Sequence, residues 1–479
     1  MKRLSALLLA GLLAASPASA QNLPDLGSVS SGDLSSFEEQ RIGDSIMREI
    51  RWSDPDYLDD IEIEDYVSGI GRRLVEVSDS PTGSFDFFII KDSSINAFAL
   101  PGGYIGVHSG LLLTAETESE FASVMGHEIA HVTQRHIAQI YGKRGQSTLL
   151  VLGSLLVGAL AAGSNPDMAQ AAMAAGQAGA IQQQLNFTRA FEQEADRVGL
   201  QLLERAGFDP RGMPSFFTRM QRANRAYESS RQLPGYLRTH PMTSERFTDM
   251  QNRVAQMRYR QVLDSLDFEF SRAKLRANQG LAVDAIAYFR DQLEKNVDDA
   301  ARYGLARALL RGGNTQEATQ VLNELGARAR ESSWVGLLAA EIELAQRRPE
   351  AALRVLESAL QRHVNSRALN YARIDALMAA NRVSEAARLA REGVGRDRTD
   401  PRLWQRLSRA EESLGNRTAY HRAQAEVYAL HGGLSAAIEQ LELARRAGDQ
   451  DFYEQSAVDA RMRELKAEDR ERRAALENR

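Results

Sequence analysis

The sequence predicts an α+β fold that is mostly α: helices around a small antiparallel sheet, followed by an α-solenoid of helical repeats. Two observations carry this. A stretch rich in aromatic and β-branched residues, Phe85 to His108, is broken by Pro101-Gly102-Gly103 and flanked by segments with helical spacing of Leu and Ile. From about Phe268 onward, Ala, Leu, Arg and Glu dominate, and Ala318, Ala352 and Ala386 recur every 34 residues, the period of tetratricopeptide helix pairs.

In chain order, Lys2 and Arg3 followed by apolar Leu4 to Ala15 and by Ala18-Ser19-Ala20 have the layout of a cleaved export signal over residues 1–20. The apolar run is too short to span ~30 Å of hydrocarbon, so the mature chain is expected to start near Gln21, outside the cytoplasm. Gln21 to Ser36 is Ser-, Gly- and Asp-containing and reads as a flexible start. Phe37 to Val77 reads as helical, with the acidic run Asp54 to Asp65 as a solvated face. Phe85 to Ile90, Ile95 to Leu100 and Tyr104 to His108 read as strands, the last two joined by a type II turn with Pro101 and Gly102 at its centre. Thr117 and Glu120 form a capping-box pattern ahead of Phe121, so a helix is expected from about residue 118. Two apolar Ala/Gly-rich runs, Leu149 to Ala162 and Met168 to Ile181, read as a buried or lid-like helical hairpin, with a substrate-capturing flap that touches the membrane at most peripherally as the alternative.

Turns precede each repeat alanine, at Gly312-Gly313-Asn314, Arg347-Arg348-Pro349 and Asn381-Arg382, with weaker units near Gly280 and Gly415. Each unit buries its apolar face only against its neighbours, which predicts one curved array with a concave groove for a protein partner. Gly432-Gly433 ends the regular pattern and a polar tail follows. The expected division is residues 21–265, 266–465 and a tail at 466–479.

Composition narrows the chemistry. Hydrophobic residues make up 43% and charged residues 26%, ordinary for a globular chain. A formal net charge of −5 leaves no basic surplus for phosphates and argues against nucleic-acid binding. With no cysteine there is no disulfide, thiolate metal site or cysteine nucleophile.

The chemistry sits in His127-Glu128-Ile129-Ala130-His131. Residues four apart share a helix face, so His127 and His131 can take two corners of a zinc tetrahedron. Glu128, one residue round, can take a proton from the attacking water while zinc polarises the scissile carbonyl. A third ligand is needed. His136 is one candidate, but the metzincin spacing fails because Gln134 and Ile137 stand where Gly and His are required. The other is Glu192, with Asp196 four residues on and on the same face, positioned to fix a ligand histidine through its free ring N–H; Glu194 points elsewhere.

These segments, with His240-Pro241 and Arg246 and the strand Asn96 to Gly103, resemble the signature of HtpX-type and CAAX-prenyl-type metallopeptidases over roughly residues 40 to 260. The resemblance implies a zincin-like endopeptidase with one zinc per subunit, held by His127, His131 and Glu192, with Glu128 catalytic. It implies an assisting or proton-donating part for Asp196. It implies that His240 fills the open zinc position and restrains activity, or donates to the developing oxyanion when displaced. With the export signal and the repeats, the resemblance is to a periplasmic member acting on polypeptides. Its expected clients are misassembled outer-membrane β-barrels, and its expected partner is the outer-membrane β-barrel assembly machinery, met through the repeat groove. A contrasting expectation is an adaptor or chaperone whose protease site is mostly latent. The strand near Asn96 offers an edge for an extended substrate.

Overall fold

The structure is a computed structural model and describes residues 34–81, 83–142, 189–227, 235–449 and 452–477. The expected export signal and the two apolar runs between residues 149 and 181 lie outside the described residues.

The first helical stretch is two helices. Helix α1 (Ser36–Ser53) opens on a reciprocal capping box between Ser35 and Glu38. It stops just before Pro55, whose ring disfavours helical geometry in the residue ahead of it. Helix α2 (Ile61–Glu76) starts where the Asp60 carboxylate accepts from the Glu62 and Ile63 amides. Its Ile63, Val67, Ile70 and Leu74, on one face, point into the core.

Strands β1 (Asp86–Ile90), β2 (Ala97–Leu100) and β3 (Tyr104–His108) form a sheet in the order β1-β3-β2. The sheet is mixed, which corrects the expected antiparallel arrangement: β2 pairs with β3 antiparallel, but β1 pairs with β3 parallel. The turn behaves as expected, with Gly102 at φ 80°, ψ 11°, the second central position of a type II turn. The connection from β1, however, carries the chain past β3 to the far edge. The signal was in the unbroken apolar run Phe87-Phe88-Ile89-Ile90, because a strand covered on both faces need not alternate. Phe87 and Ile89 enter the main core, while Phe88 and Ile90 pack with Ile46, Met47 and Ile50 of α1.

A short helix α3 (Ser109–Thr114) leads into α4 (Glu118–Thr133), whose residues 118 to 131 are all buried. The Thr117 hydroxyl accepts from the Glu120 amide at 3.2 Å. The return half of the box is replaced, since the Glu120 carboxylate accepts from the Glu116 amide and from Ser215 and Arg219 instead. Helices α5 (His136–Gly142), α6 (Arg189–Arg205), α7 (Gly212–Tyr227), α8 (Gly235–Thr239) and α9 (Ser244–Gln256) complete this region.

The repeat array follows as α10 (Leu266–Asn278), α11 (Ala282–Lys295), α12 (Asp299–Arg311), α13 (Thr315–Asn323), α14 (Ala327–Arg330), α15 (Ser333–Ala345), α16 (Pro349–Arg362), α17 (Arg367–Ala379), α18 (Val383–Arg396), α19 (Pro401–Leu414), α20 (Arg417–Leu430), α21 (Leu434–Arg446) and α22 (Phe452–Glu477). Ala318, Ala352 and Ala386 are each fully buried. Gly313, Arg347, Asn381 and Gly415, which share the 34-residue spacing, all adopt positive φ, so every unit turns through the same left-handed residue. Helical order continues past Gly432-Gly433: Val458, Met462 and Leu465 of α22 pack on Leu434, Ala437 and Leu441. Helix α22 continues past residue 465 to Glu477, where a polar tail was expected.

One apolar core extends from α2, α4 and α6 through Phe268 and Phe270 to Trp334 and Ile342, so the first repeats share the core of the preceding region. The later repeats have their own core. They meet the front of the molecule through charges, which corrects the reading of the acidic run as a solvated face. Of the later repeats, Arg367 of α17 pairs with Asp65 at 2.9 Å and Arg402 of α19 with Glu64 at 2.7 Å and Asp59 at 2.6 Å; in the first repeats, Lys274 of α10 pairs with Asp60 and Glu62 at 2.7 Å each. Between them lies a cavity of about 930 Å³ lined by, among others, Arg51, Glu64, Asp65, Arg72, Asp397 and Arg402.

Candidate metal centre

Helix α4 carries His127 and His131 one turn apart, with their Nε2 atoms 3.1 Å from each other. Helix α6 crosses α4 at a pair of glycines. A Cβ on Gly199 would lie 3.0 Å from the Gly126 carbonyl carbon and from the His127 amide nitrogen. Hydrogen in place of a side chain at both positions therefore lets Glu192 approach the two histidines. The Glu192 carboxylate lies 3.5 Å from Nε2 of each.

The fourth group comes from further along the chain. The Tyr236 amide donates to the Ile95 carbonyl just ahead of β2, and the His240 amide donates to the Tyr236 carbonyl, which seats His240 over the site. His240 Nδ1 is 3.3 Å from His127 Nε2 and 3.1 Å from Glu192 Oε1. One donor atom each from His127, His131, Glu192 and His240 thus falls within 4.8 Å of the others, and all four residues are buried.

Glu128 flanks this cluster, fully buried, with its Oε1 3.4 Å from His240 Nε2. Besides this contact the carboxylate is reached by the Ala99 backbone amide, and it has no close side-chain hydrogen bond among the described residues. Burying a carboxylate this sparsely paired is costly, so its surroundings suit a site that receives a further polar group. Burial pushes its pKa up, opposed by the charges of His240 and His127.

Asp196 stands behind the cluster. Its Oδ1 is 3.0 Å from His127 Nδ1, in a contact bent from the hydrogen-bond line. Arg246 grips both carboxylates of α6: Nε and Nη2 donate to Asp196 at 2.6 and 2.8 Å, and Nη1 lies 2.8 Å from Glu192 Oε2. Its Nη1 also donates to the Pro241 carbonyl, tying the His240 loop to α6.

Charge balance follows from these contacts. Burial alone would lower the pKa of His127, but its contacts with Asp196 and Glu192 outweigh that and raise it to about 10. Burial and the neighbouring His127 push His131 well below its ordinary value. Burial works to raise Glu192, yet His240 and His127 hold it well below the usual carboxylate range. Against burial, Arg246 and His127 lower Asp196. Imidazole nitrogens crowded to 3.1–3.3 Å from one another and 3.1–3.5 Å from a carboxylate are the donor set of a nitrogen- and oxygen-ligated metal ion, and the residues fit one.

The sequence pattern of Peptidase family M48 matches residues 63–254, and a Tetratricopeptide repeat pattern matches residues 278–341 and 343–411. The Beta-barrel assembly-enhancing protease of Escherichia coli (strain K12) is 34% identical over 461 residues, covering 94% of this chain and 92% of that protein. The chain belongs to peptidase family M48. A "Putative beta-barrel assembly-enhancing protease" of Vibrio cholerae is also 34% identical, over 96% of each chain. The Mitochondrial metalloendopeptidase OMA1 of Arabidopsis thaliana is 30% identical over 46% of this chain and 42% of that protein. This M48 chain is accordingly a metalloendopeptidase with tetratricopeptide repeats, and a metal is its cofactor.

Within the M48 site, sequence reasoning singled out every member of the four-residue cluster but undervalued what surrounds it. Arg246 entered only as part of a signature, without a role. Tyr236 was passed over, although its ring stacks on His240 with centroids 4.8 Å apart and its buried hydroxyl has no hydrogen-bond partner among the described residues. His136 lies outside the cluster, behind His131, where it meets Glu194. No local spacing rule links Tyr236 or Arg246 to α4.

Proposed function

We propose that this chain is a periplasmic zinc-dependent endopeptidase that degrades misassembled outer-membrane β-barrel proteins, and that its repeats meet the β-barrel assembly machinery and its unfolded clients. The observation that carries the catalytic part is the convergence of His127, His131, Glu192 and His240 beside the fully buried, sparsely paired Glu128. The client and compartment rest on the export-signal layout of residues 1–20 and on the names of the relatives that match nearly the whole chain. No helix among the described residues is long and apolar enough to cross a membrane.

In this reading His127, His131 and Glu192 hold one zinc ion. When bound, zinc supplies Lewis-acid polarisation of the scissile carbonyl and makes water a better nucleophile. Glu128 takes the proton of the attacking water and passes it to the leaving amine; its raised pKa suits a group that must both accept and release a proton. Asp196 and Arg246 keep His127 and Glu192 in place. The outer side of β2, an edge strand, offers backbone groups to an extended substrate. His240, whose two ring nitrogens face the donor cluster and Glu128, is a resting occupant of the fourth position, and a client must displace it.

The test is Glu128→Gln. Cleavage of an unfolded protein should fall by about 10²–10⁴-fold while the zinc content of the purified protein stays at the parent level. Retained cleavage would sink the catalytic assignment. His240→Ala should raise cleavage; lost cleavage with zinc retained would instead make His240 a transition-state donor.

A further inference from the structure

His131 is backed by a chain of groups that ends on an acid. Its Nδ1, on the ring edge away from the cluster, lies 2.9 Å from Nδ1 of His136. His136 Nε2 in turn lies 3.3 Å from Glu194 Oε2. His136 is fully buried, and its ring is stacked on Phe191 at 4.4 Å with 18° between planes, so it cannot easily turn away. Glu194 stands in the next turn of α6 after Phe191 and is steadied by Arg197 at 3.7 Å.

Two neutral imidazoles can hydrogen-bond only if one ring donates and the other accepts. Two proton orders are therefore open to this pair. In one, His131 donates from Nδ1 and its Nε2 keeps a lone pair. In the other, His136 donates, His131 carries its proton on Nε2, and that N–H points at His127 Nε2, 3.1 Å away. Glu194 decides between them, because a carboxylate beside His136 Nε2 accepts a proton there and leaves His136 Nδ1 bare.

We propose that His136 and Glu194 are positioning residues that fix the tautomer of His131, so that Nε2 always presents its lone pair to the metal. The proton order runs from His131 Nδ1–H to His136 Nδ1, and from His136 Nε2–H to Glu194. The two ligand histidines are then oriented by different devices. The Nδ1 edge of His127 faces the carboxylate of Asp196 directly, whereas the Nδ1 edge of His131 reaches the Glu194 carboxylate through a second imidazole. This rests on His131 being a zinc ligand, and it adds two residues with a role distinct from ligation.

The experiment measures zinc dissociation constants of the full mature chain by competition with a chromophoric chelator, together with the visible absorption of the cobalt-substituted protein. His136→Met and His136→Gln have side chains of similar size, but only glutamine can accept the His131 N–H. The Met variant should bind zinc about 10–100-fold more weakly than the parent, the Gln variant several-fold more tightly than Met, and the cobalt spectrum should change more in Met than in Gln. Glu194→Ala, at a partly exposed side chain, should weaken zinc by about tenfold without changing the melting temperature of the metal-free protein. Equal zinc affinity in the Met and Gln variants, at whatever level, overturns the relay, as does parent affinity in Glu194→Ala. His131→Ala separates the two readings: if it binds zinc as tightly as the parent, the metal assignment fails, and the relay with it.

Discussion

His127 shows how one residue can serve two balances. Without a metal, its pKa of about 10 keeps it protonated at neutral pH, held by the carboxylates of Glu192 and Asp196. The raised value gives the metal-free fold a contribution that is full below the ordinary histidine pKa and is lost as pH rises through about 10. A metal must displace that proton, so zinc affinity should rise by up to about tenfold per pH unit between pH 7 and pH 9. Titration calorimetry in buffers of different ionisation enthalpy would count the proton released; a pH-independent affinity would contradict the assignment. Arg246 is the counterweight. Its removal in Arg246→Ala leaves the two buried carboxylates of Glu192 and Asp196 with protonated His127 but without the guanidinium that bridges them, and should cost about 3–5 kcal/mol of stability, read from urea unfolding of the metal-free protein. At this scale the ligand candidates were legible because i, i+4 spacing is a local property of a helix. Arg246, His136 and Tyr236 were not, since their roles depend on which surfaces meet after folding.

The elements that hold the site are set by close approach. Helix α4 is buried on every side, and α6 comes near enough only because Gly126 faces Gly199. Gly199→Val forces a branched side chain against the Gly126 backbone and should cost about 1–3 kcal/mol. Because α6 also carries Glu192, zinc affinity should fall in the same variant, measurable by chelator competition. A variant that lost stability but kept zinc affinity would show that α6 positions Glu192 independently of the crossing. The sheet makes the complementary point. Its Pro-Gly turn was readable because turn chemistry is local, while the parallel pairing of β1 with β3 required knowing that α1 covers the second face of β1.

Across the whole molecule, the later repeats bear on α2 mainly through ion pairs around a polar cavity, in contrast to the first repeats, which share the main core. Charge reversal in Arg367→Glu/Arg402→Glu sets like charges against Asp59, Glu64 and Asp65 and should loosen that contact. Hydrogen exchange in α2 and in α17 to α19 is expected to speed up about tenfold or more, the equivalent of losing about 1.4 kcal/mol of protection, with α10 to α12 unchanged. Unaltered exchange in α2 would mean that the apolar contact between Trp52 and Tyr428 holds the two parts together without the ion pairs.

By itself the sequence determined the metal-ligand spacing on α4 and α6, the start of α4 with its Thr117 cap, the Pro-Gly turn and the 34-residue period of the repeats. Each depends on groups within one or two turns of each other, where backbone geometry alone dictates who is neighbour to whom. Tertiary structure alone decided that the acidic run of α2 is a docking face, that the sheet is mixed, that Arg246 ties the His240 loop to α6, and that His131 is backed by His136 and Glu194. Those contacts join residues far apart in the chain. Their partners are chosen by which buried charges and faces need covering once the cores have formed, and no local pattern records that choice.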